Sequence, residues 1–435
     1  MDPIILGIVG LLLMSVLLIG GLPAPVTFFV VGFFGIVLVK DWAPALAVIQ
    51  ETSWASVADF SWSLIPLFII LGVVLFECGI GHEIFRAVQR WLGHVPGGMA
   101  AATSAACAFL GTITGASAAA TILMAKTAYP EMRKVNYEPG LSLAVCAASG
   151  TVAMLIPPSV MLVIYAIITE QSISETLLAG FIPGFLSMAI YMAMILIRAR
   201  FQPNLGPPSP VATWHDRLID LRYLLPPVIM MLTIIGGLYF GIFTATEAGG
   251  IAALISFIIV LALRRLTWAR LKATLYDTIR FSILVTLIIV TIMGFYVRFL
   301  HVTWITVTIA EWALGLPSPW IILAAMYLFC FVFGMLVGGS PALLVLPLFT
   351  PVVEQLGFSP IWFIITIVKT METGFITPPV AMSVFIAQGI IREVSLEKAY
   401  KAIWWFVLCD MLTLGLFIAF PQIVTFLPGT MRAVR

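Results

Sequence analysis

Leu155-Ile156-Pro157-Pro158-Ser159 interrupts one long apolar run of the chain, and Ile376-Thr377-Pro378-Pro379-Val380 interrupts another. The two proline pairs are 221 positions apart (378 − 157), and Pro130/Pro351 and Ser174/Ser395 repeat that offset. A shared offset across otherwise different local sequence predicts an internal duplication. Proline lacks the backbone donor and clashes with the preceding turn, at a cost of about 3 kcal/mol in a helix interior. Within a helix, Pro157 and Pro158 leave the carbonyls of Ala153 and Met154 without partners, and the second pair does the same for Gly374 and Phe375. Paired breaks in two halves of a membrane chain point to a transport site, because interrupted spans expose peptide oxygens near the midplane.

Apolar residues make up 62% of the chain and charged residues 10%, too few to cover a water-facing surface. Apolar spans of roughly 20 residues recur, each long enough to cross a bilayer core of about 30 Å. An all-α polytopic membrane protein is expected. Met1-Asp2-Pro3 offers no positive region before the first apolar run, so that run reads as a retained helix rather than a signal peptide. Full crossings are expected over roughly 4–21, 24–40, 62–80, 138–169, 176–197, 224–242, 247–264, 281–300, 360–390 and 402–420. Stretches 98–128 and 319–350 are rich in Gly, Ala and Ser and read as re-entrant hairpins. With this threading and an external N-terminus, basic residues from Arg86 and Arg90 to Lys398 and Lys401 fall on one side. Apart from Lys369, within the span 360–390, only Lys40, Arg298, Arg432 and Arg435 fall on the other. The positive-inside rule makes the rich side cytoplasmic.

Each repeat then runs helix, amphipathic arm, hairpin, broken helix, helix, with arms at Glu83–Leu92 and roughly Trp304–Leu314. The first half starts outside and the second inside, so the repeats are inverted. The expected organisation is 1–97 scaffold and first arm, 98–197 first transport half, 198–316 scaffold with linker and second arm, 317–421 second transport half, and 422–435 periplasmic tail. Leu266–Arg280 reads as a basic amphipathic stretch at the inner leaflet surface.

Enzyme chemistry finds no support. His82-Glu83 lacks the second histidine of a zinc helix, no Ser/His/Asp set is evident, and the five cysteines show no CxxC spacing. No nucleic-acid partner is expected; the bilayer is.

The pattern Ser149-Gly150-Thr151 before Ile156-Pro157-Pro158, with Met371-Glu372-Thr373-Gly374-Phe375-Ile376-Thr377-Pro378-Pro379, resembles the large membrane subunit of TRAP (tripartite ATP-independent periplasmic) transporters, the DctM-like family. Gly241-Ile242-Phe243-Thr244-Ala245-Thr246-Glu247-Ala248 is similar to that family's Thr-Pro-Thr-Glu-Ala stretch. The resemblance implies an inverted-repeat elevator fold with two re-entrant hairpins and two broken helices, residing in the bacterial inner membrane. It implies Na⁺ as coupling ion and uptake of an organic acid such as a dicarboxylate or sialic acid. Two partners are implied as well: a small four-helix membrane subunit (Q-type) and a periplasmic substrate-binding protein (P-type).

Carried over by motif, one ion site comprises Thr112, Thr114, Gly115, Ser149, Gly150 and Pro157. The other comprises Gly334, Gly338, Gly339, Thr373, Gly374 and Pro378, and substrate would lie near Ser117, Thr151, Ser340 and Thr377. Glu372, Lys369 and Glu247 are structural or coupling candidates; Lys369 and Glu372, three apart, can pair on one helix face. Departures from the family pattern are Ala245 for Pro, Ala153 and Ala381 for common Gly, Gly338-Gly339 where an Asp often stands, and Lys369 in an apolar helix. A carrier of the same superfamily that works without a binding protein is the second reading, and uptake by this polypeptide alone would mark it.

Overall fold

The computed structural model describes residues 2–58, 60–114, 117–337 and 341–431. Among them every regular element is helical. An apolar chain without water to satisfy its backbone must bond it internally, and helices do so within each segment.

The duplication is visible in the element boundaries. The first hairpin pairs Gly98–Thr114 with Ser117–Lys134, and the second pairs Pro319–Val337 with Pro341–Gln355. The hairpins start 221 positions apart (319 − 98) and end 221 apart (355 − 134). The first halves of the broken helices keep the same shift, starting at 139 and 360, and the second halves start 222 apart (382 − 160): Pro139–Val152 with Val160–Ile168 in one, Pro360–Ile376 with Met382–Ile391 in the other. Their first halves have 14 and 17 residues. At 1.5 Å per residue neither much exceeds about 26 Å, short of a bilayer core, so each needs its second half to cross. Both begin alike, with proline at the first helical position and a capping side chain before it: Glu138 accepts from the Leu141 N–H, Ser359 from the Trp362 N–H.

The first halves are buried on almost every face, which places them at the centre of the bundle. Ile173–Phe201 and Leu396–Ala419 flank them. By contrast the first helix, Pro3–Ile19, exposes Ile5, Ile8, Leu12 and Val16 at helical spacing, a lipid-facing stripe. The first arm, Ile80–Leu92, leaves Leu64–Glu77 at 71° through Gly79, whose φ of +74° suits a residue without a side chain. The second arm is Ile305–Leu314.

Three segments differ from the sequence reading. Trp42–Ala58, between the expected crossings 24–40 and 62–80, is a helix packed on Ala24–Lys40. The amphipathic stretch expected as a separate surface segment is the start of one continuous 35-residue rod, Trp268–Val302, with a π-helical turn at Ile292–Tyr296. The end of the chain contains a helix, Gln422–Thr430, packed on Ile173–Phe201. Among the described residues, five helices are long and apolar enough to cross a membrane singly, or up to seven if each of two bent pairs is one span, because hairpins and broken spans divide their crossings into shorter pieces.

Candidate functional site

Each hairpin is pressed against the broken helix of its own repeat, and glycine permits the approach. A Cβ on Gly150 would lie 2.1 Å from Thr121 Oγ1 and 3.0 Å from the Ser117 carbonyl oxygen. A Cβ on Gly374 would lie 2.7 Å from the Phe331 carbonyl oxygen and 2.9 Å from the Met335 nitrogen. The two repeats also meet. Ser383 Oγ, on the second half of broken helix two, donates to the Ala147 carbonyl at 2.7 Å and sits 3.3 Å from Thr121 Oγ1 of the first hairpin. Interrupted spans from both halves therefore share one buried core.

In the first set, Ser149 Oγ pairs with Ser104 Oγ at 2.7 Å, and the Thr151 hydroxyl donates to the Ala148 carbonyl at 2.8 Å. Ser117 opens the second helix of the hairpin, buried, and its Oγ has no hydrogen-bond partner. Thr112 and Thr114 occupy the end of helix Gly98–Thr114, with side chains outside the description. Beyond Val152 the helix gives way to turns and the cis Pro157-Pro158 bond. Among the described residues no backbone N–H outside the helices is directed at the carbonyls of Ala153 or Met154.

In the second set, Gly334 and Gly374 bring the hairpin against the broken helix. The Thr373 hydroxyl donates to the Lys369 carbonyl at 2.8 Å and the Thr377 hydroxyl to the Thr373 carbonyl at 2.5 Å. Their protons thus point back along the helix and leave oxygen lone pairs for a ligand. The Gly374 carbonyl, expected to be free, accepts from the Thr377 N–H at 3.0 Å, because the chain tightens into a turn before the cis Pro378-Pro379 bond. Gly115, Gly338, Gly339 and Ser340, which the sequence places at the hairpin tips, lie outside the described residues. The described donors are hydroxyl and carbonyl oxygens, the set a small hard cation takes, and the orphaned Ser117 Oγ fits that chemistry.

Lys369 and Glu372 do pair, at 3.3 Å, with no exposed side-chain surface. The sequence reading missed what completes them. Asp410, from Leu396–Ala419, lies 2.5 Å from Lys369 Nζ, and the Tyr191 hydroxyl donates to the same Asp410 oxygen at 2.7 Å. The available signal was a lone carboxylate in the apolar span 402–420 of a chain whose span 360–390 holds Lys369 and Glu372. Glu247 stands apart: it accepts from the Thr244 N–H at 2.8 Å, closing a capping box on helix Ala245–Ala262.

A cleft of about 740 Å³ opens between Ser117–Lys134 and the end of Met382–Ile391, lined by Lys126, Arg133, Lys134 and Arg392. The Tyr129 hydroxyl donates to Glu393 across it at 2.5 Å.

Residues 11–423 match the family described as the DctM component of the tripartite ATP-independent periplasmic transporter. The chain is 30% identical over 374 residues to the C4-dicarboxylate TRAP transporter large permease protein DctM of Pseudomonas aeruginosa, covering 85% of each. It is 29% identical over 427 residues to the ectoine/5-hydroxyectoine TRAP transporter large permease protein UehC of Ruegeria pomeroyi, covering 96% of this chain and 97% of that one. Its fold is similar to the crystal structure of the Alcanivorax borkumensis YdaH transporter, with a TM-score of 0.62 at 14% identity, over 95% of this chain and 99% of that one.

Proposed function

The chain belongs to the DctM family of tripartite ATP-independent periplasmic transporters, and we propose that it carries an organic acid into the cell together with Na⁺ by an elevator motion. The family makes it a multi-pass membrane transport subunit with partner subunits. The observation that carries the finer reading is the pairing of each glycine-backed hairpin with the proline-broken helix of its own repeat. That arrangement supplies hydroxyl and carbonyl oxygens twice over, in a buried core. Ser149, Gly150 and Thr151 with the first hairpin would hold one cation; Thr373, Gly374 and Thr377 with the second would hold another. The acid would lie between the hairpin ends, near Ser117, its carboxylate met by hydroxyls, amides and helix N-termini. Bound Na⁺ supplies positive charge beside it.

Hairpins and broken helices are the moving part in this reading. The scaffold is 1–97 with 198–316, and the two arms tether the parts. The basic cleft beside Arg133 suits release of an anion to the cytoplasm. A small Q-type membrane subunit and a periplasmic P-type binding protein complete the system, with the N-terminus of this chain periplasmic in the inner membrane. Where two or more Na⁺ accompany a monovalent anion, the membrane potential contributes about 2.3 kcal/mol per net charge at 100 mV. The test is uptake by the chain reconstituted with both partners. Uptake that requires inward Na⁺ and rises with an inside-negative potential supports the reading; uptake indifferent to both defeats it.

A further inference from the structure

The basic cleft lies away from the paired breaks, where the end of the first hairpin, Ser117–Lys134, meets the end of Met382–Ile391 from the other repeat. Lys126, Arg133, Lys134 and Arg392 line it, and among the described residues Glu393 is its one carboxylate. That carboxylate is held from the first hairpin. Its Oε1 accepts from the Tyr129 hydroxyl at 2.5 Å and lies 3.5 Å from Arg133 Nε. The guanidinium is fixed in turn, because Arg133 Nη1 donates to the Tyr137 carbonyl at 2.5 Å. The Arg133 and Glu393 side chains are 37% and 60% exposed, so their pairing is screened by water and readily exchanged. Lys134 pairs with Glu131 at 2.6 Å. Among the described residues, Lys126 and Arg392 make no ion pair. Ala125, Pro130, Ile390 and Ile391 give the cleft an apolar wall.

The fold does not require these charges. The second hairpin helix, Pro341–Gln355, packs likewise on Val160–Ile168 of the first repeat. Shifting by 221, Pro347, Thr350, Glu354 and Gln355 stand there for Lys126, Tyr129, Arg133 and Lys134. Shifting by 222, as the second halves of the broken helices do, Glu170 stands for Arg392 and Gln171 for Glu393. Glu170 and Arg392 both have positive φ, so the turn is the same and its charge is reversed. One backbone thus builds a cationic mouth in one place and an acidic one at the mirror position. The positive-inside rule accounts for basic residues on the cytoplasmic side. It does not call for a carboxylate held among them by a tyrosine that is itself buried.

We propose that this cleft is a second binding site for the carboxylate of an organic acid, open to the cytoplasm, with Glu393 as its built-in competitor. The carboxylate of an acid leaving the core takes the place of Glu393 on Arg133 and Tyr129, with Lys126 and Arg392 beside it. The carbon skeleton lies on the apolar wall. One carboxylate replaces another at the same donors, so capture gains little, the site stays weak and the acid passes on to water. In a water-filled cleft one unit of charge at about 6 Å changes the affinity roughly threefold, and each methylene taken out of water about fourfold. This rests on the organic-acid reading above and names the place where that acid leaves.

The experiment reads the cleft directly, on the assembled transporter in lipid nanodiscs, with no transport required. Phenylglyoxal modifies accessible arginines, and its reaction at Arg133 and Arg392 is followed by peptide mass spectrometry. Acetate or butanoate is exchanged for chloride at constant ionic strength. Both carboxylates are expected to protect both arginines, and butanoate to half-protect at a concentration at least threefold below that of acetate. Glu393→Gln is expected to lower the half-protecting concentration at least threefold, and Lys126→Gln to raise it by as much. Glu354→Gln, at the mirror position, is expected to leave it as in wild type. Glu393 and Lys126 are exposed, so both variants keep the fold. No protection by either carboxylate overturns the site, and so does a Glu393→Gln curve that coincides with wild type. Equal half-protection by acetate and butanoate overturns the assignment to an organic acid. Acid uptake by the reconstituted complex without protection sinks the cleft and leaves the transport reading standing; protection without uptake of any acid sinks the transport reading instead.

Discussion

Replacing Gly374 by alanine adds one methyl group where the second hairpin leaves no room. The new Cβ would lie 2.7 Å from the Phe331 carbonyl oxygen, 2.9 Å from the Gly334 carbonyl carbon and 2.9 Å from the Met335 nitrogen. All three are backbone atoms, so no side chain can rotate away. Restoring an ordinary contact of 3.4 Å moves one helix from the other by 0.7 Å (3.4 − 2.7). Overpacking of this kind costs about 1–3 kcal/mol. If closure of the hairpin on the broken helix bears that cost, Na⁺ half-saturation for uptake rises about 5- to 150-fold, at 1.4 kcal/mol per factor of ten. The assay is Na⁺-dependent uptake in proteoliposomes with both partners, with size-exclusion profile and thermal midpoint as controls for folding. Gly389→Ala is the matched control: it lies on the same broken span, nothing stands within 4 Å of its Cβ, and it should behave as wild type. Half-saturation within twofold of wild type for Gly374→Ala, in folded protein, would show that the hairpin does not close on this helix to hold the ion.

Pro157→Ala restores a backbone donor at the first break and should alter the apparent Na⁺ affinity; an identical Na⁺ curve would remove the Ala153 carbonyl from the ion site. Tyr296→Phe deletes the 2.7 Å bond from the scaffold to the Leu344 carbonyl of the second hairpin, worth about 0.5–1.5 kcal/mol. It should shift crosslinking populations toward the opposite-facing state, and unaltered populations would exclude it as a tether between moving and fixed parts. Glu83→Gln breaks the bidentate pair from the first arm to Arg265, both groups being only partly exposed. The thermal midpoint in detergent should fall by a few degrees, for a loss of about 1 kcal/mol, and less in high salt; an unchanged midpoint at low salt would leave the pair without a stabilising role.

The breaks and hairpins were legible because they are written in residues with no other use in a lipid-buried helix. Proline pairs at 157 and 378 mark where backbone bonding stops, and the Gly/Ser/Ala-rich runs mark where helices approach closely. A constant offset then exposed the duplication, and the element boundaries repeat it to the residue at 98/319 and 139/360. Trp42–Ala58 was not legible because Gln50, Glu51, Thr52 and Ser53 interrupt its apolar run, and its stability comes from packing on Ala24–Lys40, which sequence does not display. The 35-residue rod was divided in the reading because its basic, amphipathic start and its apolar remainder differ in composition, yet no backbone break separates them. Lys369 and Glu372 pair through helical periodicity and could be read; Asp410 joins them from another helix, through tertiary packing alone.

Duplication gives the two halves the same backbone, and that makes their differences informative. Both broken helices end in cis proline pairs, and both are backed by a hairpin at glycine contact. Backbone carbonyls and hydroxyls are therefore available on either side, with equal chemistry. The side chains behind them differ: Lys369, Glu372 and Asp410 stand behind the second set, and Ala148, Thr151 and Ser187 behind the first, the helix after the break being shifted by 223 (396 − 173). On the proposed ion-coupled reading, two cation sites with like backbone and unlike neighbours would differ in affinity, and the arriving carboxylate would be coupled through the weaker of them: an anion without that cation, or that cation without an anion, would leave an uncompensated charge in the core.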